Sequence, residues 1–146
     1  MRFFVDTNVL LYAVNRDCPE HEAARRALEA WLAGAVPFCL GWNVLYEFLR
    51  VATHPRVFRR PLSAADALRF LDAVVAPDHV TVLVPTERHG ELLAATVKEL
   101  GRPAGNLFHD VHTAVLLREH GVPEIMTADA DFRQFGFLRV TDPTRT

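Results

Sequence analysis

Several features that would assign this chain quickly are missing from it. It has only two cysteines in 146 residues, Cys18 and Cys39. They are not spaced as C-x-x-C, which argues against a cysteine-built zinc site, and two thiols alone do not make a secreted disulfide scaffold. They read as reduced thiols of a cytosolic protein. A basic surplus is also lacking: the formal net charge is -2 and the pI about 6.4, whereas nucleic-acid-binding modules are usually basic overall. RNA is not thereby excluded, because an acidic pocket that gathers cations needs only a local basic rim. No stretch reaches the ~18 apolar residues of a membrane span. The opening MRFFVDTNVLLYAVN is interrupted by Asp6 and Asn8, unlike the unbroken apolar core of a signal peptide. There is no internal repeat, low-complexity tract or linker, so one domain over residues 1–146 is the simplest organisation.

What is present is apolar material in short, punctuated runs. Half of the residues are hydrophobic, enough for a packed interior. Phe3-Phe4-Val5 has the pattern of a strand buried on both faces. Residues 19–33 show helical spacing of Ala23, Ala27, Leu28, Trp31 and Leu32. Residues 36–40 predict a second strand, and residues 42–53 a helix stopped by Pro55. HPRVFRRP, with two prolines and three arginines, reads as a basic loop. Ser63 predicts an N-cap, with Asp66 three residues on, for a helix to about Ala76. Residues 80–84 predict a strand. Thr86 is expected to cap a helix ending near Gly101, and a loop over residues 101–106 leads to a helix from about Asp110 to His120. A short strand over residues 124–127, a helical turn after Asp129 and a strand near residues 138–140 complete the pattern. Strands alternating with helices predict a three-layer α/β/α domain with a central, mostly parallel sheet.

Four carboxylates stand out on this frame. Asp6 follows a strand that should be central, and open α/β sheets bind ligands outside the carboxyl ends of their strands. Asp110 shares a helix face with Thr113, Ala114 and Leu117. Glu47 lies mid-helix in a row with Asn43 and Arg50. TADADF offers Asp129, with Asp131 as the alternative, where a strand ends. Each acid has a structural reading of its own: a turn at Asp6, an N-cap at Asp110, a solvated Glu47 pairing with Arg50, a cap at Asp129 or Asp131. Those readings do not explain why acids recur around one sheet edge. Clustered carboxylates repel unless a cation lies among them, and oxygen ligands without cysteine or a histidine pair favour Mg²⁺ or Mn²⁺. Such ions serve phosphate chemistry.

Four blocks carry a family resemblance: VDTNVLLYA, WNVLYEFLRVATHPRVF, NLFHDVHTAVLLREHG and TADADF. Together, in this order, they resemble the PIN domain, and more narrowly the VapC-type toxins of bacterial toxin–antitoxin pairs. The resemblance implies a Mg²⁺- or Mn²⁺-dependent endoribonuclease. It maps the family's acids onto Asp6, Glu47, Asp110 and Asp129, with Asp6, Asp110 and Asp129 as metal ligands and Asp131 as an alternative fourth acid. Thr7 and Asn8 match positions that support the site. The resemblance also implies an RNA substrate, a cognate antitoxin that masks the metal site and a homodimer, with no membrane and a cytoplasmic location. Residues 55–86 carry no usable motif. Arg56, Arg59 and Arg60, and after them Arg102 or Arg133, are the expected rim contacts to RNA, and His109 and His112 read as surface or groove residues beside Asp110. Two rivals remain. A non-catalytic binding module has no need of all four acids. An aspartyl-phosphate hydrolase needs a second aspartate two residues after Asp6, where this chain has Asn8.

Overall fold

The computed structural model describes residues 2–145. Five strands, β1 (Phe3–Val5), β2 (Phe38–Gly41), β3 (Val80–Leu83), β4 (Glu124–Met126) and β5 (Arg139–Thr141), form one sheet in the order β3-β2-β1-β4-β5. Every pairing is parallel, with Phe4 opposite Cys39 on one side and Ile125 on the other. The expected mostly parallel sheet is therefore wholly parallel among the described residues. Phe3, Phe4 and Val5 are all buried, as a central strand covered on both faces requires.

Six helices flank the sheet: α1 (Thr7–Val14), α2 (His21–Ala33), α3 (Trp42–Ala52), α4 (Ala64–Val75), α5 (His89–Leu100) and α6 (Leu107–Glu119). The chain moves from β1 to β2 to β3 in one direction, then returns past β1 to β4 and β5. With right-handed crossovers, that reversal puts α1–α4 on one face and α5–α6 on the other. The packing agrees: α1 lies against α2 and α3, α3 against α4, and α5 against α6. The reversal also opens a crevice between the carboxyl ends of β1 and β4, where such sheets bind ligands.

Several boundaries differ from the sequence reading for local reasons. The largest difference is α1, which the pattern did not suggest. TNVLLYAV is apolar nearly all round, and Thr7, Val9, Leu10 and Ala13 are buried, so no polar stripe advertises a helix. Helix α2 starts at His21, after a turn at Pro19 and Glu20. Helix α6 starts at Leu107, which moves Asp110 from the expected cap into the first turn. Thr86 lies outside α5; its hydroxyl accepts from Arg88 N at 3.2 Å, and its own N–H and O–H donate to Glu119. Ser63 does cap α4, accepting from Asp66 N at 3.1 Å. Helix α5 ends at Gly101, whose φ of 85° favours glycine.

Gly41 closes β2 and opens α3. A Cβ there would meet Asn43 Oδ1 at 2.5 Å and Leu116 Cδ2 at 2.9 Å, so the missing side chain lets α3 start hard against α6. Cys18 and Cys39 are both free, and burial pushes the Cys39 thiol up to about 12, which leaves it unreactive.

Candidate active site

Asp6 is the first residue after β1 and the N-cap of α1. Its Oδ1 accepts from Thr7 N at 2.8 Å, satisfying one of the free N–H groups of the helix start. Its Oδ2 accepts from the Thr127 hydroxyl at 2.8 Å and from Asn8 Nδ2 at 3.3 Å. Asp6 thus caps α1, as its structural reading has it, and also lines the crevice, as its functional reading requires. Asn8 ties the two strand ends together. Its Nδ2 donates to Thr127 Oγ1 at 2.9 Å and its Oδ1 accepts from Ala128 N at 3.0 Å.

The segment after β4 forms the opposite lip. Thr127 is buried, and its hydroxyl also accepts from Asp129 N at 3.0 Å. Asp129 caps the 3₁₀ turn Ala130–Gln134, accepting from Asp131 N at 2.9 Å. From α6, Asp110 completes a trio: one carboxylate oxygen each of Asp110, Asp129 and Asp131 lies within 4.8 Å of the others. From α3, Asn43, Glu47 and Arg50 face the same cavity, one helical turn apart in a row. Asn43 Nδ2 donates to the Thr113 hydroxyl at 2.8 Å, fixing α3 to α6 beneath Asp110. The cavity measures about 550 Å³ and is lined by Asp6, Glu47, Asp110 and Asp129 against a single arginine, Arg50.

Its charge is uncompensated. Burial pushes Asp6 up to about 6; Glu47 and Asp129 add to the rise, and the hydrogen bonds from Thr127 and Thr7 oppose it. Burial likewise pushes Asp110 up to about 7, with Asp129, Asp6, Asp131 and Glu47 all contributing repulsion. Both groups hold protons well above the ordinary carboxylate range because taking the charged form means sharing a poorly hydrated space with like charges. The donor set is all oxygen, dominated by carboxylates, so a hard divalent cation fits it.

Comparisons with known proteins place the chain in a family. The PIN domain model matches residues 3–138. The chain belongs to the PIN-domain family. It is 39% identical over 140 residues to Ribonuclease VapC37 of Mycobacterium tuberculosis, covering 95% of each chain. Among solved structures, the sarcin-ricin-loop-cleaving toxin VapC20 of M. tuberculosis superposes with a TM-score of 0.66 at 20% identity, covering 96% of this chain and 99% of the other. VapBC2 from Rickettsia felis, bound to a promoter DNA fragment, gives 0.67 at 15% identity over 96% and 97%. Those two likenesses establish the shared fold.

Within this PIN domain the residues expected from sequence divide into two groups. Asp6, Thr7, Asn8, Glu47, Asp110 and Asp129 line one cavity, together with His109 and His112. Asp131 joins through the carboxylate trio: both Asp129 and Asp131 come to Asp110, but of the two only Asp129 is in the cavity lining. Glu47 and Arg50 form no ion pair among the described residues, although both face the cavity. The structure does not bring Arg56, Arg59, Arg60, Arg102 or Arg133 to its lining. Arg60 instead pairs with Asp17 at 2.9 Å, because Phe58 is buried and anchors the loop away from the sheet's carboxyl edge. Three contributors were missed. Thr127 read only as a strand end, Asn43 only as part of a row, and Arg50 only as a partner for Glu47. The i+3 spacing of Glu47 and Arg50 was the available signal for Arg50.

Proposed function

We propose that this PIN domain is a metal-dependent endoribonuclease, the toxin component of a VapBC-type pair. The observation that carries the reading is the trio Asp110, Asp129 and Asp131, with Asp6 and Glu47 beside it, at the one sheet edge where α/β folds bind ligands. The relatives' activity, ribonuclease, supports the reaction class.

The chain's own residues do the following. Asp6, Asp110 and Asp129, with Asp131 alongside, are suited to hold Mg²⁺ or Mn²⁺, and Glu47 stands at the open side of the same cavity. Thr127 and Asn8 fix the Asp6 carboxylate by hydrogen bonds, so its free face is set before anything binds. The Thr113–Asn43 contact holds α3 and α6 at a fixed separation. Bound divalent ions supply charge neutralisation at phosphoryl oxygens and a water acidic enough to attack. Cleavage in line leaves a 5′-phosphate and a 3′-hydroxyl and needs no side-chain nucleophile. Asn8 cannot serve as an acid–base group, and its amide is occupied in joining β1 to β4, which is why an aspartyl-phosphate mechanism does not suit this site. An RNA substrate, a cognate antitoxin covering the cavity, a homodimer and a cytoplasmic setting belong to the same proposal.

The test is cleavage of a mixed RNA pool by the purified protein with Mg²⁺, with Mn²⁺ and with chelator, beside the Asp110→Asn variant. Cleavage should require metal and fall by orders of magnitude in Asp110→Asn. Equal cleavage in chelator, or a fully active variant, overturns the assignment.

A further inference from the structure

Helix α3 carries two large aromatic side chains on its outside that the core does not explain. Trp42 is 55% exposed and Tyr46 70% exposed. They stand one turn apart, and Arg50 follows one turn after Tyr46, so the three occupy one helical face at a spacing of about 6 Å along the axis. The buried face of α3 is a different one, made by Val44, Leu45, Phe48 and Ala52. Exposed rings of this size forgo the hydrophobic gain that burial gives. They adjoin the reactive edge: Tyr46 and Arg50 line the same cavity as Asp6, Glu47, Asp110 and Asp129. Arg50 is also the one arginine in that lining. No hydrogen bond or ion pair among the described residues engages its guanidinium, although acids stand close by.

We propose that Trp42, Tyr46 and Arg50 form a ledge that holds single-stranded RNA beside the carboxylates, the rings stacking unpaired bases and the guanidinium meeting the backbone phosphate. This deepens the ribonuclease reading and rests on it. Charge selects the occupant. Helix α3 forms one wall of the carboxylate cavity and brings its one cation, Arg50, to that lining, where a backbone phosphate can meet it, and stacking on aromatic rings is how proteins hold unpaired bases without demanding a sequence. A duplex keeps its base faces covered, so the ledge favours loops and single strands. A second copy of the chain and the antitoxin expected over the same cavity are the competing occupants for two exposed rings, but a single RNA strand alone brings both unpaired bases for the rings and a phosphate for the arginine.

The experiment separates binding from cleavage. Affinity for a fluorescent single-stranded RNA is measured with Mg²⁺ in the Asp6→Asn background, where the strand survives, and compared with a hairpin-closed duplex. Trp42→Ala and Tyr46→Ala should each weaken single-strand binding about tenfold, while Tyr46→Phe, which keeps the ring, should bind like its parent. Arg50→Ala should reduce the slope of log affinity against log salt by roughly one. Unchanged affinity in both alanine variants, or loss in Tyr46→Phe equal to that in Tyr46→Ala, overturns the ledge. So does sedimentation showing that the alanine variants dissociate an oligomer while affinity per chain stays the same. The parent protein is assayed for cleavage in parallel. If it cuts RNA and the variants bind normally, the ledge alone fails; if it never cuts RNA, the ribonuclease reading fails whatever the ledge does.

Discussion

Two cavities of this chain carry charge in opposite ways. The carboxylate cavity sets four acids against Arg50. The other, about 960 Å³, lies along α1, α2 and the loop after α3, and is lined by Asp17, Glu22 and Glu29 together with Arg16, Arg25 and Arg60. In the second cavity every acid has a partner: Arg25 meets Glu22 at 3.0 Å and Glu29 at 2.7 Å, and Arg60 meets Asp17 at 2.9 Å. In the first, no ion pair forms among the described residues, and burial with mutual repulsion pushes two carboxyls up to about 6 and about 7 instead. Where neutral pairing is available within the chain, the fold uses it. The acids left over in the first cavity are a demand on something outside the chain, and a divalent cation would meet it.

The largest break in that comparison should come from Asp6→Asn. The amide still accepts from Thr7 N, but its NH2 replaces the oxygen that accepts from Thr127, whose hydroxyl oxygen is already filled by Asn8 and Asp129 N, so the 2.8 Å bond from Thr127 and the 3.3 Å contact from Asn8 are both lost. Removing one of several repelling charges should offset that loss and keep the metal-free variant close to the parent in stability. With Mg²⁺ at a hundred times its Kd the parent should gain about 2.7 kcal/mol, a rise in Tm of about 5 °C or more for a chain of this size, and the variant much less. Melting curves with and without Mg²⁺ decide it. A variant whose Tm rises with Mg²⁺ as much as the parent's takes Asp6 out of the ion site.

That single residue also shows how far the sequence could be read. Phe3-Phe4-Val5 announced a doubly covered strand, and an acid directly after it announced the carboxyl edge, because apolar runs and their endings are local signals. Asp110 was legible by its helix face and Asp129 with Asp131 by the strand before them. Helix α1 was not, because burial on several sides removed the polar stripe that betrays a surface helix. The arginines of HPRVFRRP misled for a different reason. Their density is local, but where the loop points depends on Phe58 entering the core and Arg60 finding Asp17, contacts 43 residues apart in the latter case. Arg50 went the other way: one unremarkable arginine in a helix became the only one in the cavity through the placement of α3.

Acidity sharpens the comparison with an effect of intermediate size. Asp6 and Asp110 have folded values raised to about 6 and about 7 above the ordinary carboxylate value. The folded state therefore binds more protons than the unfolded state between about pH 4 and 7. Their contribution is fully present below that window and is lost as pH rises through it, so metal-free protein should become less stable from pH 5 to pH 8 on their account. Asp110 is only partly buried, so solvent screening trims its share, and the two together should amount to about 2–3 kcal/mol. Asp110→Asn should flatten the decline. With Mg²⁺ present the trend should reverse, since the ion binds the deprotonated carboxylates and gains affinity as pH rises. Tm against pH in chelator and in Mg²⁺, for parent and variant, measures both signs; identical slopes in the two media would place the cation elsewhere.

The smallest effect is expected on the paired side, and it is the control that makes the comparison meaningful. Arg25→Gln removes the cation shared by Glu22 and Glu29 on α2. Those three side chains are 39%, 59% and 61% exposed, and ion pairs in water at helical spacing contribute little because solvent screens them and side-chain ordering offsets the attraction. Tm should fall by about 2 °C or less, and the difference should shrink further in high salt. More tellingly, the Mg²⁺-induced rise and its dependence on pH should be the same as in the parent, because Glu22 keeps Arg26 at 3.6 Å and Glu29 stands two turns away on a hydrated helix, so the two gather no cation. If Arg25→Gln instead reduced the Mg²⁺ response, the second cavity would also be drawing on the ion, and its internal pairing would no longer distinguish it from the first.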